Sequence, residues 1–127
     1  MDKNFLLLGA IAGFLAVALG AFGAHGLRSW LAAADDGPRR LELWQTASSY
    51  HLTHALALGL AAYVGSRSQL GVANLSGYCF QAGIVLFSGS LYALTLTGVK
   101  QLGAITPLGG LCFLVGWGAM LWAAWKL

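Results

Sequence analysis

Residues 5–24 read FLLLGAIAGFLAVALGAFGA, and these twenty residues include no charged and no polar side chain. A spanning α-helix needs about 20 apolar residues to cross roughly 30 Å of hydrocarbon, and it satisfies its own backbone hydrogen bonds there. The stretch therefore predicts a membrane-spanning helix. An apolar run near the start of a chain is also typical of a secretory signal peptide, but we interpret this one as a retained helix.

The composition of the whole chain agrees with a lipid environment. Of its 127 residues 58% are hydrophobic and only 9% are charged, and the mean hydropathy is +0.73. Soluble domains carry about 25% charged residues. The net charge of +3 comes from seven basic residues spread along the chain, which argues against a nucleic-acid partner. The predicted partner of most of the surface is the lipid bilayer.

Three further segments have the length and composition of spanning helices, at about residues 44–64, 75–97 and 107–125. Thr106 and Pro107 form a good start for the last helix, because proline at the first helical position wastes no backbone donor. The prediction is an all-α, multi-pass integral membrane four-helix bundle. It forms a single transmembrane domain over residues 1–127, with both termini on the same side.

A short amphipathic segment is expected in the first connection, at about residues 27–34. Leu27, Trp30, Leu31 and Ala34 follow at offsets of three, four and seven, which places them on one side of a helix. Such a segment is typical of a helix lying in the membrane interface.

Polar side chains follow one stripe on each of the two middle helices. On the second helix the stripe consists of Glu42, Thr46, Ser49 and Thr53; on the third, a shared face carries Asn74, Gln81, Ser88, Tyr92 and Thr95. Polar groups at membrane depth normally point into the protein and pair with one another. We therefore expect the two stripes to face each other inside the bundle.

A candidate intramembrane polar site follows from the alternating direction of the helices, which brings the end of the first, the start of the second and the end of the third to the same side. Its members are His25, Arg28, Tyr50, His51, His54, Ser88, Tyr92 and Thr95. Three interpretations stay open: hydrogen bonds that only hold the helices, a haem, quinone or metal site, and proton handling. The three histidines, His25, His51 and His54, are the weak candidates for a metal. No cofactor and no catalytic residue is predicted.

Small residues recur along the first helix at positions suited to close helix packing, namely Gly9, Gly13, Ala16 and Gly20. Small side chains let two helix backbones approach each other. The partner of this face is expected inside the bundle, although a second copy of the chain would use the same feature.

Four motifs together resemble the uncharacterised small inner-membrane proteins of domain-of-unknown-function family 423, which includes the transmembrane protein 256-like proteins. They are GAFGAHGL at 20–27, WQTA at 44–47 with YHLTHAL at 50–56, LFSGSLY at 86–92, and LGAITPLGG at 102–110. The resemblance covers nearly the whole chain and implies a bacterial inner-membrane location. It implies no reaction, substrate or catalytic residue.

The preferred functional hypothesis is a non-enzymatic membrane protein that acts by association, either with itself or as a small accessory subunit of a larger membrane complex. Its basis is the small size, the small-residue face and the absence of a readable catalytic set. The alternatives are haem, quinone or metal binding at the histidine cluster, and a small transporter or proton path along the polar stripes.

Overall fold

Four long helices make up most of the computed structural model, which describes residues 3–127. They are α1 (Lys3–Leu31), α2 (Gly37–Arg67), α3 (Val72–Thr97) and α4 (Thr106–Trp125). A π-helical turn interrupts α1 at Gly23–Leu27 and α3 at Ile84–Ser88, and a 3₁₀ turn at Lys100–Ala104 leads into α4. The all-α class is confirmed, and the four predicted segments lie within these helices.

Three of the helical segments are long and apolar enough to cross a membrane. They are Lys3–Leu31, Val72–Thr97 and Lys100–Trp125, each with 26 residues or more. The remaining helix, α2, has 31 residues but a more polar composition. Length and composition therefore identify α1, α3 and α4 as capable of spanning a bilayer.

The central position in the fold belongs to α2. One of its sides packs along α1, another packs along α3, and α4 packs mainly on α3. The larger hydrophobic core lies among α2, α3 and α4, and Phe5 of α1 joins it. Every polar group on the inward side of α2 is therefore placed at a helix–helix contact.

Gly109 sets how closely α4 approaches α3. A Cβ atom at this position would overlap the backbone of Phe87, which lies in the π-helical turn of α3. Close backbone approach of this kind is what glycine permits in membrane helices. A second glycine, Gly98, ends α3 in the left-handed conformation with φ of 73°, which residues with a side chain adopt rarely.

The predicted small-residue face of α1 lies against α2. A Cβ on Gly9 would come within 3.0 Å of the Ala55 carbonyl oxygen, and one on Gly20 would lie 3.7 Å from Ser48 Oγ. Gly13 lies near the Ala55 side chain, and Ala16 is buried. Within the chain, this face packs α1 on α2.

The structure differs from the expected separate interfacial helix at 27–34. The chain continues as α1 up to Leu31, and a turn follows before α2 begins at Gly37. Leu27 and Leu31 are buried in a small cluster with Trp44. The amphipathic pattern exists because α1 covers this tryptophan with Leu27 and Leu31; of the other two residues of the pattern, Ala34 is half-buried and Trp30 is exposed.

Candidate functional site

The first polar contacts between α2 and α3 lie at the C-terminal end of α3. Arg40 donates from Nε and Nη2 to the carbonyl oxygen of Thr95, at 2.9 and 2.6 Å, and the Thr95 hydroxyl donates back to the Arg40 carbonyl at 2.9 Å. Asp36 accepts a third hydrogen bond from Arg40 Nη1 at 3.3 Å. The last carbonyls of a helix have no partner inside it. Arg40 therefore supplies a partner and places a cation at the negative end of α3.

Further along α2, a hydroxyl and an indole hold its neighbours through backbone carbonyls. Ser88 of α3 is fully buried and donates to the Ala47 carbonyl at 2.7 Å. Trp44 donates from Nε1 to the Leu19 carbonyl of α1 at 2.7 Å. One turn of α2 is thus fixed to both adjacent helices.

His54 is held on both of its ring nitrogens. Nδ1 lies 2.8 Å from the Tyr50 carbonyl oxygen, which can only accept, and Nε2 lies 3.0 Å from Nε1 of Trp117, which can only donate. The ring is therefore neutral, with its proton on Nδ1. It also stacks on Phe113, with ring centroids 3.5 Å apart. In this arrangement neither nitrogen is free to ligate a metal or to take up a further proton, and His54 ties α2 to α4.

His51 has one nitrogen bonded and one free. Its Nδ1 lies 2.9 Å from the hydroxyl of Tyr92, and Nε2 forms no hydrogen bond within residues 3–127. A phenol is a better donor than a neutral imidazole, and an imidazole nitrogen is the better acceptor. The Tyr92 hydroxyl therefore donates to Nδ1, which leaves the proton of His51 on Nε2. The buried His51 thus offers an unused donor.

The structure does not gather the three histidines. His25 is exposed at the π-helical turn of α1, while His51 and His54 are buried in α2. Among the described residues there is no group of three His, Cys, Asp or Glu side chains that could hold a metal ion. Arg28 is exposed as well, and within residues 3–127 its side chain has no hydrogen bond to the other predicted members. The members that do meet at α2 are Tyr50, His51, His54, Ser88, Tyr92 and Thr95, each through a contact of its own.

The prediction that the polar stripe of α2 faces α3 is wrong. Glu42, Thr46, Ser49 and Thr53 are all exposed on the outward side of the helix, and so is Gln45 beside them. The inward side carries Arg40, Trp44, Ala47, His51 and His54 instead, at alternating spacings of four and three. Burial of the large Trp44 and the close contact of α3 with the small Ala47 determine which face is inside. On α3 the expected orientation holds for Ser88, Tyr92 and Thr95, which contact α2.

Three residues of the polar contacts were not among the predicted site members. Arg40 is one of the seven basic residues spread along the chain, and Trp44 belongs to the motif at 44–47. Trp117 lies in an apolar run where its sequence neighbours give no sign of a polar partner. The four–three spacing from Arg40 to His54 places these residues on one face of a helix, but they share no single property that would mark this face in the sequence.

Comparison with known proteins gives one family and no structural precedent. Residues 19–110 match the model of a family described as "Protein of unknown function (DUF423)". The chain is 46% identical over 125 residues to the UPF0382 membrane protein YwdK of Bacillus subtilis, with 98% of each chain covered. It is 41% identical over 124 residues to the UPF0382 membrane protein SAB0533 of Staphylococcus aureus, covering 98% of this chain and 97% of that one. No solved structure matches it significantly.

Proposed function

Since this chain belongs to the DUF423 family of membrane proteins of unknown function, we propose that it is a four-span, non-enzymatic protein of the bacterial inner membrane that acts by self-association. The observation that carries the proposal is the polar stripe on the outward face of α2. A second copy of the chain covers this stripe.

The first step is that α2 is a fourth spanning helix. It packs lengthwise between α1 and α3, both of which are capable of crossing the membrane. Between Glu42 and Arg67 it has no Asp, Glu, Lys or Arg residue, and 24 residues at 1.5 Å each reach about 36 Å. Four antiparallel spans form the bundle and leave both termini on one side.

The second step is the depth of the stripe. Gly20 of α1 lies against Ser48, and Gly9 lies against Ala55. The part of α2 from Gln45 to Thr53 therefore lies beside the charge-free residues 5–24 of α1, within the hydrocarbon. Lipid tails offer no hydrogen-bond partner at that depth.

The third step is that most of these side chains lack partners within the chain. Thr53 donates to the carbonyl of Ser49 at 2.9 Å. The side chains of Gln45, Thr46 and Ser49 form no hydrogen bond with any residue that the structure describes. Unpaired polar groups at membrane depth are costly, so a protein surface rather than lipid is expected against them.

A second copy is the occupant that fits this chemistry. Two copies inserted in the same direction and related by a two-fold axis along the membrane normal bring each α2 residue opposite itself. An amide or hydroxyl both donates and accepts, so Gln45, Thr46 and Ser49 can each pair with the same residue of the other copy. Glu42, the charged member, lies at the membrane edge and is paired with Arg39 at 3.1 Å. A role as accessory subunit of a larger complex would use the same face with a different partner.

Cysteine cross-linking in native membranes tests this arrangement. In a background with Cys79→Ala and Cys112→Ala, single cysteines are placed at 45, 46, 49 and 53 and treated with a membrane-permeable oxidant. We expect disulfide-linked dimers from Ser49→Cys and its neighbours on the stripe. The matched controls are Phe14→Cys on α1 and Leu114→Cys on α4, both lipid-facing and at least 70% exposed, which should stay monomeric.

Three results would contradict the proposal. Equal cross-linking at the stripe and at the two control positions would indicate random collision. A monomeric mass in mild detergent, together with no cross-link at any stripe position in the membrane, would rule out self-association. Cross-linking of the stripe to a different protein would replace the second copy by a heterologous partner.

A further inference from the structure

A cleft between α1 and α3, on the side of α2 opposite the polar stripe, has the properties of a binding site for a membrane-soluble ligand. Its volume is about 230 Å³, and α1 lines it only with apolar side chains between Leu8 and Leu15. The opposite wall, on α3, consists of Gln81, Ile84 and Val85, and His51 of α2 lies between the two walls. Val85 at the rim is 69% exposed, so the cleft is open towards lipid.

Two residues that line the cleft, Gln81 and His51, have hydrogen-bonding capacity that no described residue uses. Nε2 of Gln81 is buried and has no partner within residues 3–127. His51 carries its proton on Nε2, as its bond to Tyr92 implies, and that nitrogen is also without a partner there. A buried unsatisfied donor is costly, and a lipid-facing site has no water to supply the missing bond. Both groups are donors, so the complementary ligand presents an acceptor oxygen.

The position of the cleft within the hydrocarbon limits the class of ligand that it can bind. Ile11 lies six residues inside the nearer end of the charge-free stretch 5–24, a distance of about 9 Å along the helix. Ester carbonyls of phospholipids lie at the edge of the hydrocarbon, whereas a quinone is an apolar molecule that carries its ring carbonyls into the hydrocarbon. A volume of 230 Å³ is below the roughly 300–1,000 Å³ of pockets that enclose drug-sized ligands. The cleft therefore accommodates a head group, with an apolar tail in the lipid.

We propose that this cleft binds the ring of a membrane quinone, with Gln81 and His51 donating hydrogen bonds to a ring carbonyl. The site goes beyond the proposed self-association and uses a different face of α2. Tyr92 acts as a positioning residue, because its hydroxyl holds His51 in the tautomer that donates from Nε2.

The test is equilibrium binding of ubiquinone-1, a quinone with a single isoprene unit, to the full chain in lipid nanodiscs. Empty nanodiscs measure the partition of the quinone into lipid. We expect saturable binding above that background, and a loss of at least tenfold in affinity with Gln81→Leu. Since the Gln81 side chain forms no hydrogen bond within the described residues, this variant should fold normally. A second variant, Val85→Trp, should block the cleft from its lipid side.

The matched control is Gln101→Leu, which removes an exposed glutamine from the 3₁₀ turn outside the cleft and should leave the affinity unchanged. Uptake equal to that of empty nanodiscs, or binding unaffected by Gln81→Leu, would overturn the proposal. A phospholipid retained in native mass spectra of the wild type and lost in Gln81→Leu would assign the cleft to an ester carbonyl instead. Gln81→Leu should not alter cross-linking through Ser49→Cys, so the two proposals fail independently.

Discussion

Both faces of α2 carry polar side chains, but the two faces differ in how many of these side chains have a hydrogen-bond partner. On the inward face, Arg40, His51 and His54 each bond to another helix or to a backbone carbonyl. On the outward face, Gln45, Thr46 and Ser49 form no side-chain hydrogen bond within residues 3–127. Polarity alone therefore does not determine which side of a membrane helix is inside. The face with the larger side chains and the available partners is the buried one.

This difference separates two kinds of mutational effect. Removing one partner of an inward contact leaves a buried group without a bond and lowers the stability of the monomer. Removing an outward group leaves no buried group without a hydrogen bond in the monomer, so we expect the substitution to weaken only the association between copies. The variants below exploit this distinction, from the largest expected effect to the smallest.

Trp44→Ala should have the largest effect of the inward variants. Trp44 is 2% exposed, donates to the Leu19 carbonyl, and has Phe22 and Tyr92 against its ring. Truncation leaves a cavity and removes the hydrogen bond to α1, and we expect a loss of about 3–5 kcal/mol in the free energy of unfolding. Unfolding in mixed detergent micelles with rising dodecyl sulfate measures it.

The control for this variant is Leu56→Ala on the outward face, where the side chain is 72% exposed. It should change the free energy of unfolding by less than about 0.5 kcal/mol, since it opens no cavity. Similar losses for the two variants would show that the inward and outward faces of α2 are wrongly assigned.

His54→Leu should destabilise by about 1–3 kcal/mol, because the Trp117 indole loses its acceptor at a part-buried contact. The double variant His54→Leu with Trp117→Phe removes both partners, so its loss should be smaller than the sum of the two single losses. A double-mutant cycle measured in the same micelles gives this coupling. Additive losses would mean that the 3.0 Å contact does not contribute to stability.

The sequence was sufficient to predict the helices but not which of their faces meet. Long apolar runs such as 5–24 determine a helix without tertiary information, because lipid leaves few alternatives for the backbone. The stripe of Glu42, Thr46, Ser49 and Thr53 was read from polarity, and its orientation was wrong. The inward face mixes a cation, an aromatic ring, a small residue and two histidines, so no single property reveals its period.

The candidate site was predictable only in part, because its contacts also depend on which helix faces meet. His51, Ser88 and Tyr92 were found because polar residues at membrane depth are rare. The alternating direction of the helices predicts that His25 joins them. In the structure His25 is instead exposed at the π-helical turn of α1. Trp117 was missed because its role depends on the distance between its indole nitrogen and His54, which only the tertiary packing sets.

Ser88→Ala should cost about 1 kcal/mol in the free energy of unfolding. The hydroxyl is fully buried and bonds to the Ala47 carbonyl at 2.7 Å. That carbonyl keeps its bond within α2, so the variant removes one hydrogen bond between helices without leaving a strongly unsatisfied group. A change indistinguishable from zero, measured as for Trp44→Ala, would show that this contact does not help to hold α3 on α2.

Ser49→Ala is the matched outward change and the smallest in effect. It also removes one hydroxyl from α2, yet within residues 3–127 the Ser49 side chain bonds to no other helix, so the free energy of unfolding of the monomer should change by less than about 0.5 kcal/mol. If a second copy covers the stripe, the loss appears in association instead: a hydrogen bond between membrane helices contributes about 0.6 kcal/mol, which weakens the dimer about threefold. Dilution of labelled protein into excess lipid, followed by energy transfer between copies, measures that change. Destabilisation of the monomer comparable to that of Ser88→Ala would place Ser49 inside the fold and remove the distinction between the two faces.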